Sequence, residues 1–134
     1  MTANSTQRAA ELSALIARHS TLPPHQIAAH VLHLQRIARQ LKAIAERQCN
    51  GYHVARYQPN DAWDHDAQER DKKRFSKLVT HADDICRQVQ KFAGDFKIAP
   101  GGDPRGPCLR LIIEGERGDG FDQASDGTGS YAVY

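Results

Sequence analysis

The chain has 134 residues, of which 25% are charged and 40% hydrophobic, and a net charge of +2. That length suits one domain able to bury roughly two-thirds of its unfolded surface, and the composition excludes wholesale disorder. Apolar runs last only a few residues, as in Leu111-Ile112-Ile113, far short of the ~20 needed to span a bilayer.

The charge is unevenly placed. Residues 1–94 hold 14 Lys/Arg against 9 Asp/Glu, whereas residues 95–134 hold 4 against 7, so a basic portion and an acidic portion can meet each other or separate partners. Three widely spaced cysteines, Cys49, Cys86 and Cys108, suit a reducing cytoplasm better than a disulfide framework. Gln7, Arg8, Glu11 and Arg18 interrupt the start of the chain, unlike the apolar core of a signal peptide.

The first helix is predicted from Ser5 to His19, with Leu12, Leu15, Ile16 and His19 on one side. Ser20-Thr21-Leu22-Pro23-Pro24 breaks it. Thr21 is the expected cap of the second helix, whose first turn tolerates both prolines because its N–H groups have no helical acceptor. Ile27, Val31, Leu34, Ala38, Leu41 and Ala45 then recur at intervals of 4, 3, 4, 3 and 4, a heptad seam that Ile37 and Ile44 widen. Asn50-Gly51 supplies a left-handed stop.

After a connection over 52–60, a third helix is expected from Asp61. Its first half is polar, and its second carries Phe75, Leu78, Ala82, Ile85, Val89 and Phe92 before Gly94. Two complementary seams joined by such a loop predict an antiparallel helical hairpin. The period then changes. Strands are expected over 95–99, 108–113 and 130–134, with a turn at 100–106 and a Gly-rich loop over 115–129. The pattern predicts one α+β domain, 1–134. In it an antiparallel helical hairpin plus N-terminal helix (residues 1–94) packs with a small C-terminal antiparallel β-sheet (residues 95–134).

No frame of catalytic or metal-ligating residues emerges. His25, His30, His33 and His53, with Cys49, His81 or Cys86 as a third ligand, lack a Cys-x-x-Cys or His-Glu-x-x-His frame, and His30, beside the apolar seam, reads as a half-buried packing residue. Asp61, Asp64 and Asp66 suit the positive end of a helix macrodipole. Trp63, in a polar run, is either a staple against the hairpin or an exposed anchor. Arg36, Arg39, Lys42 and Arg47 form a basic line on the second helix, continued by Arg56 and interleaved with Tyr52 and Tyr57. Cations neutralise phosphates and aromatic rings stack on bases, so this line is the candidate contact surface, set against the plain reading of a solvated helix face. Lys72-Lys73-Arg74 is basic too, but Asp66, Glu69 and Asp71 precede it and suggest local pairing. Asp103-Pro104-Arg105-Gly106 reads as a turn in which only Arg105 exceeds what the turn requires, making it a candidate anion clamp.

Asn50-Gly51 after a helix, Gly102-Asp103-Pro104-Arg105-Gly106 before a strand, and a Gly-rich run into Tyr131-Ala132-Val133-Tyr134 together resemble a family of small bacteriophage- and prophage-encoded proteins sharing that Gly-Asp-Pro-Arg-Gly turn. The resemblance covers residues 30–134, and only the turn is specific. The family has no assigned reaction. It implies a phage accessory protein in the host bacterial cytoplasm, of a kind that often inhibits host or defence machinery by stoichiometric binding.

The expected function is therefore non-enzymatic, without cofactor or metal. The expected partner is a bacterial host protein or ribonucleoprotein complex held by Arg36, Arg39, Lys42, Arg47, Tyr52, Arg56, Tyr57 and Trp63, with no membrane contact. Direct nucleic-acid binding by the same strip is the alternative. An enzyme built from the Asp/His-rich helix start and Arg105 ranks below both. A helical seam left uncovered would also permit a homodimer.

Overall fold

In a computed structural model, three helices precede a three-stranded sheet, and the described residues are 3–52, 63–90, 94, 96–100, 108–116 and 128–134. Helix α1 spans Ala3–Ala17, α2 Pro24–Asn50 and α3 His65–Val89; strands β1, β2 and β3 span Phe96–Pro100, Leu109–Glu114 and Thr128–Val133. The sheet is an antiparallel meander in the order β1-β2-β3. Ile98 lies opposite Leu111, and Leu111 opposite Tyr131. The expected α+β architecture with a C-terminal sheet is what the chain adopts.

Most seam positions are buried as their spacing requires; Ala45, Phe75 and Leu78 are partly buried, and Phe92 lies outside the described residues. Ile27, Val31, Leu34, Ile37, Ala38, Leu41 and Ile44 are buried on α2, facing Ala82, Ile85, Cys86 and Val89 of α3 and Leu12 and Ile16 of α1. Alternation along β2 sends Leu109, Leu111 and Ile113 to the same core, joined by Phe96 and Ile98 from β1. The sheet thus completes the cover of both seams within one chain, and the uncovered seam that would have permitted a homodimer is not present among the described residues. None of these helices is long and apolar enough to cross a membrane.

Two expected helix starts need correction. Thr21 does not cap α2. The N-cap is Pro23, whose ring fixes φ at −61° and which makes no side-chain cap bond. Ser20 takes the organising role instead, its hydroxyl donating to the Val89 carbonyl at the end of α3 and accepting from Leu22 N–H. Helix α3 begins at His65, four residues later than Asp61, because Asp64 supplies the cap: its Oδ1 accepts from Ala67 N–H at 3.0 Å. At the far end of α2, Gly51 (φ 87°) donates to the Arg47 carbonyl, as the Asn-Gly pair predicts.

Among the described residues, the acidic C-terminal portion meets the basic helices at Glu116. Glu116 Oε1 lies 2.7 Å from His19 Nε2, and Oε2 lies 3.5 Å from Arg18. Arginine side chains also tie β3 in place: Arg8 of α1 donates to the Ala132 carbonyl at 2.9 Å, and Arg110 of β2 to the Ser130 carbonyl at 3.0 Å. Arg8→Ala removes a cross-element bond from a charged donor and is expected to cost about 1.5–3 kcal/mol. Hydrogen exchange should show faster exchange of the β3 amides than of the α2 amides; uniform acceleration would contradict this local tether.

Candidate functional site

The basic line read on α2 does not survive as a line. Successive α-helical residues turn by 100°, so Arg36 and Lys42 stand about 120° apart around the axis, with Arg39 between them facing solvent. All three are exposed. Arg47 turns back toward α3, where its Nε and Nη2 donate to the two Asp71 carboxylate oxygens at 2.8 and 2.9 Å. Tyr52 turns inward beside it. Its side chain is buried, its hydroxyl donates to Asp71 Oδ2 at 2.7 Å, and its ring is not available as an exposed stacking platform. Arg56, Tyr57 and Arg105 lie outside the described residues.

Arg47, Asp71 and Tyr52 form a clasp that joins the end of α2 to the first turns of α3. The Arg47 fork holds the Asp71 carboxyl down at about 2, with the Tyr52 hydroxyl adding to it and partial burial opposing it. The same bond raises the Arg47 pKa, and burial followed by the Asp71 contact raises that of Tyr52. Trp63 stands beside the clasp, its ring edge-on to Tyr52 at 6.1 Å and its Nε1 donating to Gln68 Oε1 at 2.7 Å. It is still 39% exposed, so it serves as a staple on one edge while presenting the other to solvent.

Helix α3 contributes what the sequence pattern did not reveal. Between α2 and α3 runs a groove of about 410 Å³ lined by Gln40, Ala43, Ile44, Arg47, Arg70, Asp71 and Arg74. Arg70, Arg74, Lys77 and His81 recur at i, i+4, i+7 and i+11, one stripe of α3. His81 meets His33 of α2 edge-on at 4.7 Å. Burial, then His81, Arg36 and His30, lower the His33 pKa. Local pairing was expected to neutralise this region, yet Lys72 pairs with Glu69 while Asp71 is taken across to Arg47. Among the described residues, Arg36, Arg39, Lys42, Arg70, Arg74 and Lys77 make no ion pair. The i, i+4, i+7 stripe was readable in the sequence; that it faces α2 was not.

The described residues contain no group of three or more His, Cys, Asp or Glu placed to hold a metal ion. Burial, and then the neighbouring Asp83, push the Cys86 thiol pKa up and disfavour the nucleophilic thiolate. Comparison with known proteins returns no match: no family model, curated protein or solved structure resembles the chain. The chemistry this surface offers is that of exposed cations.

Proposed function

We propose that this chain is a stoichiometric, non-enzymatic binding protein that attaches to an anionic surface of a larger bacterial complex through the outer face of α2 and its junction with α3. In this reading it is a phage-encoded accessory factor that inhibits a bacterial defence or nucleic-acid-processing complex by occupying that surface. The supporting observation is the group of six exposed cations on two adjoining helices, none of them in an ion pair. Solvated lysine and arginine faces usually carry interspersed carboxylates; here α2 offers Glu46, one turn after Lys42, and the Asp71 carboxylate of α3 is already held by Arg47 and Tyr52. Complementary charge of this kind steers encounter and sets orientation. The phage origin rests on the resemblance carried by the Gly102-Asp103-Pro104-Arg105-Gly106 sequence.

The test is co-purification from bacterial lysate with the full chain, followed by mass spectrometry and gel filtration of any complex. Arg36→Glu, Arg39→Glu and Lys42→Glu together alter only exposed side chains and should leave the fold intact by circular dichroism. At ~1 kcal/mol per lost contact the triple variant should bind its partner roughly 100-fold more weakly. A complex retained at wild-type strength would remove this surface from the proposal.

A further inference from the structure

The groove between α2 and α3 has a shape as well as a charge. Arg70 and Arg74 line the α3 wall and Arg47 the α2 wall; Lys77 continues the α3 stripe to about 10 Å from Arg70, at 1.5 Å per residue, and Arg36 stands one turn before the lining residue Gln40 on α2. Its floor at Ala43 and Ile44 is small and apolar, and no aromatic ring lines it. Of its lining residues only Asp71 is acidic, and that carboxylate accepts two bonds from Arg47 and one from Tyr52, so Arg70 and Arg74 keep their charge for a ligand. An elongated row of cations suits a linear polyanion, and forked guanidinium donors match phosphate oxygens as well as they match carboxylates. A site reading bases would need aromatic platforms, which Tyr52 does not supply because it is buried.

We infer that the α2–α3 groove is a track for the phosphodiester backbone of a nucleic acid, gripped by Arg70, Arg74, Lys77 and Arg36 without regard to base sequence. The inference rests on the binding function proposed above and names the nucleic acid of the partner complex as the component touched. An acidic protein surface is the competing occupant. Its carboxylates are spread over two dimensions, and it would use the outward-facing Arg39 and Lys42 as much as the groove.

The experiment is fluorescence anisotropy on the full chain with a labelled 20-nucleotide single strand of mixed sequence, the corresponding duplex, and a labelled poly-glutamate peptide. Four phosphate contacts predict a log–log salt slope near −2.8 on the single strand, so raising salt from 50 to 200 mM should weaken binding roughly 50-fold. Arg70→Glu with Arg74→Glu should weaken binding at least ~10-fold at 50 mM and flatten the slope by about 1.4. Lys72→Glu changes charge on the opposite flank of α3 and should leave the slope unchanged. Tighter binding of single strand or of duplex identifies the source of the backbone, and either supports the inference. No binding of either nucleic acid at 50 mM overturns it, as does equal weakening by the groove and flank variants. Poly-glutamate binding without nucleic-acid binding also overturns it, yet leaves the broader proposal standing; that proposal fails on the Arg36, Arg39 and Lys42 variant instead.

Discussion

Leu34→Ala should destabilise the protein by about 3–4 kcal/mol, a large share of the roughly 5–15 kcal/mol that holds a domain of this kind together. Leu34 is 1% exposed at the middle of the α2 seam and belongs to the core cluster that α1, α2, α3 and the sheet build jointly. Removing its side chain forfeits transfer free energy and opens a cavity bounded by several elements, none of which can collapse into it without disturbing another. Leu32, two residues earlier, is 44% exposed, and Leu32→Ala should change stability by no more than about 0.5 kcal/mol. Urea unfolding of the two variants checks the contrast: the midpoint falls for Leu34→Ala with the slope unchanged, and stays in place for Leu32→Ala. Similar midpoints for the two would refute the seam assignment.

Asp71→Asn should cost about 1–2 kcal/mol at neutral pH, after allowance for the solvent reaching Arg47. The substitution removes the charge that Arg47 grips and weakens the acceptor of the buried Tyr52 hydroxyl. Linkage fixes the pH dependence. The Asp71 carboxyl titrates at about 2 in the folded protein, below its ordinary value of 3.8, so its stabilisation is fully present above about pH 5 and is lost as pH falls from 4 through 2. Wild type and Asp71→Asn should therefore differ in urea midpoint at pH 6 and converge as pH falls to about 2. A gap that stays constant across that range would show that the clasp does not govern the difference. Because the clasp joins α2 to α3 where the groove begins, Asp71→Asn should also loosen the spacing of Arg47 and Arg70.

Much of the fold is legible in the order of residues. The 4-3-4-3 recurrence from Ile27 to Leu41 is a local signal of helix and of its buried side, and Leu34, Leu41 and Ile85 are core for that reason. The switch to short β-branched runs after Gly94 marks the strands, and Gly51 marks the end of α2 with one residue. Capping was less legible. Thr21, Asp61 and Asp64 all carry suitable oxygens, and which one caps depends on where the backbone turns. Gln35 was hidden among polar residues of α2, although it is 1% exposed and its amide donates to the Ser5 and Tyr134 carbonyls, 30 and 99 residues distant. Arg110, 3% exposed within an apolar strand, was hidden in the same way.

The candidate surface divides along the same line. That Arg36, Arg39 and Lys42 are exposed follows from the helical period of the seam they flank, a property of consecutive residues. That Arg70, Arg74 and Lys77 join them, while Arg47 reaches across to α3 and Tyr52 turns inward, follows from the antiparallel pairing of α2 with α3. Asp71 had nearby cations in its own helix and a bidentate partner 24 residues away. The distant partner wins because its fork meets both carboxylate oxygens at a partly buried junction, where charge-assisted bonds are stronger than exposed pairs along one helix. Periodicity assigns each residue to a face of its own element. Which faces meet, and which charges remain for a partner, is settled where the elements pack.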